Sequence, residues 1–299
     1  KVYETSMAFY SLLLLQRMEE IYEQSIAFTL DRMEYFQNLV NAGASSDIDL
    51  MQAELDLMND SSMYLSNRQQ LLLQKNVIRN LLAANSDYEF EISGEFPSTI
   101  ASVTWEDLLS KAKRINTQLL LAKSNFAVAA LEQKEVRSRY YPQIGLLANY
   151  NFNTAENEVG FLLSNRTYGP AVGIVFRWDI LDHLSRYQAH KNSKIRLENA
   201  ELLEKEVDLE MEKSLNDAYI AYNWAQKQLA LAIRAERKTE NIIDIAKASF
   251  ESGALTPFEL REVQFSIIQA QTNILNAKMD YVIAKMNMEL VLGEYQNVL

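Results

Sequence analysis

Glycine and proline, the residues that most often end a helix, are scarce in this chain and fall in clusters. The 299 residues hold 8 Gly and 4 Pro, where average usage gives about 20 and about 15. The glycines are Gly43, Gly94, Gly145, Gly160, Gly169, Gly173, Gly253 and Gly293, and the prolines are Pro97, Pro142, Pro170 and Pro257. Three stretches, 44–93, 98–141 and 174–252, contain neither. The map therefore predicts long helices broken at four places. These are a tight turn near 43, an irregular stretch near 86–104, a patch at 142–173, and a second tight turn near 253.

Local signals place the elements between those breaks. Residues 1–41 read as one helix already under way at residue 1, with no cap and no basic leader before Leu12–Leu15. Ser45-Ser46-Asp47 supplies N-cap candidates for a second helix running to about Ala84. Thr104-Trp-Glu-Asp107 is a capping-box pattern opening a short helix to about Arg114, and another helix runs from about Thr117 to Arg139. From about Asp182 to Ser252 nothing breaks the chain. Roughly 70 helical residues make a rod of about 105 Å. Leu215, Tyr219, Tyr222, Leu229 and Ile233 form a heptad seam on it. Phe265, Ile268, Thr272, Leu275, Met279, Val282 and Met286 continue such a seam after the Gly253 turn. A rod that long buries its stripe only in a bundle.

The patch at 142–181 changes period. Ile144, Leu146, Ala148, Tyr150 and Phe152 alternate with Gln143, Gly145, Leu147, Asn149, Asn151 and Asn153. Val172, Ile174, Phe176, Trp178 and Ile180 alternate with Gly173, Val175, Arg177 and Asp179. Two such runs, separated by a polar loop at 154–168, match a transmembrane β-hairpin, apolar to lipid and polar to a lumen. Alternation alone is equally compatible with a half-buried hairpin of a soluble domain.

Sliding the sequence against itself by 210 residues aligns the two tight turns without a gap. Gly43-Ala44 falls on Gly253-Ala254, Ser46 on Thr256, Asp49-Leu50 on Glu259-Leu260, Leu65 on Leu275 and Leu82 on Leu292. The chain thus contains one antiparallel αα-hairpin twice. On the second helix, Leu57, Tyr64, Leu71 and Ile78 form one seven-spaced row, and Met58, Leu65 and Leu72 form an adjacent one. Two neighbouring seams suit a helix with partners on both sides, as in a closed ring; a wide apolar face in an ordinary bundle is the plainer alternative.

Several function classes drop out on composition and motif. No apolar run approaches the ~20 residues of a spanning helix. With no Cys there are no disulfides and no thiolate metal sites. A net charge of −11 and a pI near 4.9 argue against nucleic acid as a partner. His183 and His190, seven apart on one face and without an acidic cluster, read as solvated rather than as a metal pair. No phosphate loop, GxSxG or HExxH motif occurs. No catalytic site, metal or cofactor is expected, and the chain reads as a protein other than an enzyme.

Four features, in order along the chain, resemble the TolC-like outer membrane efflux proteins. They are the turn Ala248-Ser-Phe-Glu-Ser-Gly-Ala-Leu-Thr-Pro-Phe-Glu-Leu260 with its long helix to Leu290-Val-Leu-Gly293, and the partner copy Phe36-Gln-Asn-Leu-Val-Asn-Ala-Gly-Ala-Ser-Ser-Asp-Ile-Asp-Leu50. Then come Asn116-Thr-Gln-Leu with Arg137-Ser-Arg-Tyr-Tyr-Pro-Gln143, and the exit Trp178-Asp-Ile-Leu181. The resemblance implies a mainly α fold, in which twice-repeated coiled-coil hairpins build an α-barrel and one β-hairpin contributes to a transmembrane β-barrel. It implies residues 1–85 as a first helical hairpin and 86–115 as an equatorial region. Residues 116–141 would lead to the membrane, 142–181 would be the barrel hairpin, and 182–299 the second helical hairpin.

The family further implies a homotrimer in the outer membrane, reaching into the periplasm and meeting a periplasmic adaptor (a membrane fusion protein) and an inner-membrane pump. Export through it is passive, in tripartite efflux or type I secretion, of small molecules or proteins. By the resemblance, Glu259, Glu262 and Asp49 would form an acidic ring at the entrance. The charge preference of a helix N-terminus also accounts for carboxylates there. Gly43, Gly253, Ala44 and Ala254 would mark the turns that dock the adaptor. Ile144, Leu146, Tyr150, Phe152, Val172, Ile174, Phe176 and Trp178 would face lipid. The chain departs from the pattern in carrying Asp182-His183 where a Gly is usual, and in having one strand pair where the repeat calls for two. That absence suggests a fragment lacking the N-terminal strand pair. The runner-up reading is a soluble periplasmic coiled-coil scaffold or adaptor, which would bury the hairpin's apolar stripe in its own core.

Overall fold

A computed structural model describes residues 2–85, 88–97, 103–156, 164–180 and 184–294. Six helices and one hairpin follow in order: α1 (Val2–Asn41), α2 (Asp47–Leu81), α3 (Trp105–Ile115), α4 (Thr117–Ser138), β1 (Gln143–Glu156), β2 (Ser164–Arg177), α5 (Ser185–Glu251) and α6 (Pro257–Leu292). The fold is mostly helical with a small β contribution, as the spacing of Gly and Pro predicts.

The two tight turns share one geometry. Gly43 and Gly253 take φ of 69° and 73°, the left-handed region a Cβ disfavours. In each turn the glycine N–H bonds three residues back, Gly43 to Val40 and Gly253 to Phe250. The following alanine bonds five back, Ala44 to Leu39 and Ala254 to Ser249. These crossed bonds satisfy the last carbonyls of α1 and α5. Both hairpins then restart on a capping box, at Ser46 and at Thr256. The 210-residue repeat is therefore visible in hydrogen bonds.

The chain divides into two compact units, Lys1–Asn116 with Met211–Leu299, and Thr117–Glu210. In the first, α1 packs along α2 and against α6. α6 meets α5 through Tyr222 and Tyr281, whose rings lie 5.7 Å apart, and through Lys278 Nζ on Glu236 at 2.8 Å. The neighbour order is α2–α1–α6–α5, with α5 also touching α1 at the turn end through Phe250 on Tyr35. Leu12, Leu215, Leu229, Met279 and Val282 are buried on the heptad rows. Phe265, expected on that seam, is exposed instead, because α6 buries a second row through Ile274, Tyr281, Ala284 and Met288. α3 is clamped to the end of α6: Asn116 Nδ2 donates to the Val291 carbonyl at 2.8 Å, and Lys111 pairs with Glu294.

The second unit holds α4, the hairpin and the start of α5. β1 and β2 pair antiparallel from Gln143↔Arg177 to Glu156↔Ser164. Both strands run further toward each other in sequence than the alternation suggests, β1 to Glu156 and β2 from Ser164, so 154–156 and 164–168 are strand where a loop over 154–168 is expected. Trp178, expected within the second strand, lies one residue past its end. His190 is not solvated as expected: it is half-buried, edge-on to Tyr140 at 6.4 Å, with Nδ1 unpartnered. His183 and the exit residues 181–182 lie outside the described residues.

Nothing lies within 4 Å of a Cβ built on Gly43 or Gly253, so only backbone strain opposes alanine there. Gly43→Ala and Gly253→Ala are each expected to destabilise the fold by about 1–2 kcal/mol. Gly293→Ala, with φ of 88° and a Cβ that would sit 3.1 Å from the Ile115 carbonyl oxygen, is expected to cost more. Thermal unfolding of the three variants beside the parent checks the order.

Candidate functional site

Each turn end carries a carboxylate that caps its own helix. Asp49 Oδ2 accepts from the hydroxyls of Ser46 and Ser45, both at 2.9 Å, and its N–H donates to Ser46 Oγ at 3.3 Å. Glu259 Oε2 accepts from the Thr256 N–H and hydroxyl, each at 2.8 Å. The Ser46 and Ser45 hydroxyls, with the Ser46 N–H, hold Asp49 below its ordinary pKa; the Thr256 N–H and then its hydroxyl do the same to Glu259. Glu262 is exposed and takes no part in a cap. The structure thus divides the three acids, two turned back on their helix starts and one free.

Behind the turns lies a buried polar cluster that sequence reasoning missed. Asp60, on α2, is 1% exposed. Its Oδ2 accepts from Thr29 Oγ1 at 2.7 Å, Ser25 Oγ at 3.0 Å and Arg261 Nη1 at 2.9 Å, while Arg261 Nη2 reaches Oδ1 at 2.9 Å. Burial alone would raise the Asp60 pKa, but the bonds from Arg261 and Thr29, the Arg261 charge and the Ser25 bond together bring it below the ordinary value. Arg32 pairs with Asp56, and Arg261 Nε lies 3.5 Å from Asp56 as well. Gln264 Nε2 donates to the Ser25 carbonyl at 3.1 Å and to Thr29 Oγ1 at 3.2 Å. The spacing 53, 56, 60, 67 on α2 was the available signal, but it carries Asp and Asn where an apolar seam is sought.

The hairpin register puts the expected apolar residues on one face: Ile144 opposite Phe176, Leu146 opposite Ile174, Ala148 opposite Val172, Tyr150 beside Pro170 and Phe152 beside Tyr168. From Ile144 to Phe152 this band is about 27 Å long at ~3.4 Å per residue. Beyond it the same face turns polar at Thr154↔Arg166. Ile174 is 76% exposed and Leu146 77%, and the other face, with Asn149, Asn151 and Asn153, is open too.

Two further apolar rows are bare. On α2 they are Ile48, Met51, Leu55, Met58, Leu65 and Leu72; on α5 they are Ile220, Trp224, Leu231, Ile242 and Ile245. The α2 row keeps coiled-coil spacing, and on α5 Ile220, Trp224, Leu231 and Ile245 do so, with Lys227, Arg234 and Lys238 between them. Among the described residues no group of three or more His, Asp or Glu could hold a metal, and no helix is long and apolar enough to cross a membrane.

A sequence model described as "Outer membrane efflux protein" matches residues 108–294. The chain belongs to the outer membrane efflux protein family. Its fold matches a membrane protein from Pseudomonas aeruginosa with a TM-score of 0.74 at 17% identity, covering 98% of this chain and 68% of that one. The outer membrane protein VceC from Vibrio cholerae gives 0.69 at 14% identity, covering 98% and 70%. The outer-membrane channel OprN gives 0.72 at 16% identity, covering 98% and 65%. No curated protein matches the sequence. The family is one of outer-membrane efflux channels, and membership places the protein in the outer membrane, extending into the periplasm.

Because its folded pKa is lowered, Glu259 adds stability above the ordinary value of 4.5 that is lost as pH falls through the lower folded value. Acidification through that window is expected to loosen the start of α6, read as faster amide exchange at 257–260 after correction for intrinsic rate. Glu259→Gln is expected to remove that acid-dependent step. Thr256→Ala is expected to cost about 1 kcal/mol near neutral pH and less below the Glu259 transition, because its hydroxyl also bonds the ionised carboxylate.

Proposed function

We propose that this efflux protein works as a homotrimer, a passive exit duct of a tripartite efflux or type I secretion system. In this reading 1–85 and 182–299 line a periplasmic tunnel, 86–115 sits at its equator, 116–141 leads to the membrane, and 142–181 joins a shared β-barrel. The observation that carries it is the match between the bare rows on α2 and α5, the outer members of the helical order. Met51 lies eight residues after Gly43 and Ile245 eight before Gly253. Leu65 and Leu231 both lie twenty-two residues from their turns, and Leu72 and Trp224 twenty-nine. The α2 row of one copy therefore meets the α5 row of the next at equal depth, a head-to-tail contact that repeats until the ring closes.

The hairpin supports the same reading. A strand pair open on both faces is not stable alone in water and calls for further strands. Its band from Ile144 to Phe152 is nine residues, within the ~9–11 residues that a tilted strand needs to cross a bilayer. Ile144, Leu146, Tyr150, Phe152, Val172, Ile174 and Phe176 then face lipid, with Trp178 just beyond the strand end. The turns at Gly43-Ala44 and Gly253-Ala254 offer a periplasmic adaptor two equivalent docking points per chain, and through it an inner-membrane pump. Glu262, free of capping, is the main charge of an entrance ring that Glu259 and Asp49 supplement.

Leu65→Glu or Leu231→Glu is expected to dissociate the trimer, and Leu65→Glu with Leu231→Lys to restore it; mass measurement in detergent reads both. Retention of the trimer in both single variants overturns the pairing. Val172→Arg, at the centre of the apolar band, is expected to cost about 2–4 kcal/mol at the bilayer midplane and to lower the amount recovered in outer membranes. For the entrance, Glu262→Gln is expected to reduce cation over anion permeability more than Glu259→Gln does. Equal selectivity in the parent and in the variant with both acids replaced would rule out the ring.

A further inference from the structure

Helix α6 has one open side. Between Arg261 and Glu289 its exposed residues are Glu262, Phe265, Ser266, Gln269, Asn273, Asn276 and Asp280, a single stripe at helical spacing. The other charged groups of α6 are engaged: Glu259 in its cap, Arg261 with Asp60, Lys278 with Glu236 and Lys285 with Glu289. Glu262 and Asp280 are thus the two charges on the stripe, and Ser266, Gln269, Asn273 and Asn276 between them are neutral.

The opposite side of the helical layer is covered by the segment 88–97. Phe90 and Ile92 pack on Ala8, Leu12, Leu71 and Ile78 of α1 and α2, and Phe96 lies 5.9 Å from Tyr10. Leu275 and Lys278 of α6 line one groove with Phe96 and Pro97. Asp280 lies about 200° around α6 from Lys278, at ~100° per residue, so the stripe points away from the covering segment. The layer also curves away from it. Gly94 sits against the Phe9 ring of α1, 3.0 Å from where its own Cβ would be. Arg261 of α6 instead reaches Asp60 of α2 beside Ser25 and Thr29, and Thr29 is about 200° around α1 from Phe9. Helices α2 and α6 therefore lean together on the side that carries the stripe, which makes that side concave.

We propose that the stripe faces the bore, and that Asp280 makes a second cation-selecting ring beyond the entrance, set apart from Glu262 by an uncharged band of amides. This rests on the trimeric channel reading. The concave faces of three copies enclose the bore, so each stripe position occurs three times around it. The first repeat adds no charge to the band: Asn59, Met63 and Ser66 match Gln269, Asn273 and Asn276, and Gln70 matches Asp280. Amides donate and accept hydrogen bonds without preferring either sign of charge. The two acids are eighteen residues apart, about 27 Å at ~1.5 Å per residue, against a Debye length of about 8 Å at physiological salt. Each ring therefore acts on its own. A cationic solute is attracted twice along the duct, and an anionic one is opposed twice.

The chain has no Cys, so a single introduced thiol reports its position without background. The test compares Gln269→Cys, Asn273→Cys and Asn276→Cys with Glu91→Cys, which is exposed on the covering segment, as trimers in detergent and in planar bilayers. The three stripe variants are expected to react with a small, positively charged thiol reagent but not with a large polymer-linked maleimide, and Glu91→Cys with both. The small reagent is expected to lower conductance in the stripe variants and to leave it unchanged in Glu91→Cys. Asp280→Asn is expected to lower cation over anion permeability about twofold. Combined with Glu262→Gln it is expected to give the product of the two single changes. Stripe variants as open to the large reagent as Glu91→Cys overturn the placement. Parental selectivity in Asp280→Asn, or a double variant no different from Glu262→Gln alone, overturns the second ring. A parent trimer that conducts nothing, while the stripe variants stay closed to the large reagent, keeps the placement and counts against the channel reading.

Discussion

A helix of 67 residues cannot bury its own apolar stripe, and the rest of this structure follows from that. Each long helix needs a neighbour on at least one side along its whole length. Within the chain α1 and α6 find neighbours on two sides, and their buried rows are correspondingly broad. The outer helices α2 and α5 are covered less completely, α5 by α6 with local contacts to Tyr35 and Trp105, and each keeps exposed apolar residues at heptad spacing. Stability and assembly therefore draw on the same resource. In the proposed trimer a row left bare within one chain is covered by the next, and equal depths from the two turns give that contact its register.

Much of this was legible in the sequence, because it rests on features one residue can reveal. A lone glycine among forty helix formers marks a turn, and Gly43 and Gly253 both adopt the left-handed φ that only glycine takes freely. Thr104 and Ser46 cap where their spacing to Asp107 and Asp49 says they should. Strand alternation gave the faces of the hairpin correctly, since period two fixes sidedness whatever the register. It did not give the ends. Polar residues such as Thr154 and Arg166 pair across the ladder as well as apolar ones do, so β1 and β2 continue past the point where alternation fades. Trp178 failed for the opposite reason, its size continuing a pattern that the backbone had already left.

The buried charges were illegible for a deeper reason. Asp56 and Asp60 sit where a seam requires burial, but an aspartate on a helix reads as solvent-facing unless its partners are known. Those partners are 24 to 35 residues away in α1 and 201 away in α6. Only the fold brings Ser25, Thr29 and Arg261 around one carboxylate, and only that convergence makes its burial tolerable. Of the row inferred through Leu57, Tyr64, Leu71 and Ile78, the last two are buried, whereas nearer the turn Asp56 and Asp60 take the inner positions and leave Leu57 and Tyr64 half-buried. His190 makes the same point on a smaller scale: its ring is covered by Tyr140, fifty residues away, which no local pattern announces.

The acids near the turns show how one residue type takes two roles by position. At the third helical residue a carboxylate reaches back to the cap, and Asp49 and Glu259 both do so. Three residues later the side chain has passed the orphan N–H groups and has no local partner to satisfy. Glu262 therefore keeps its charge for whatever lies in front of the helix. A duplicated hairpin needs its cap in both copies, and both copies keep one. The outward charge is not repeated, since the first copy has Gln52 at the position that matches Glu262, a difference in keeping with the proposed entrance. That difference, like the buried cluster at Asp60, whose match in the second copy is Ala270, falls on residues that the repeated scaffold does not require. Duplication supplied two equivalent frames, and the differences between them lie where charge, rather than packing, is at stake.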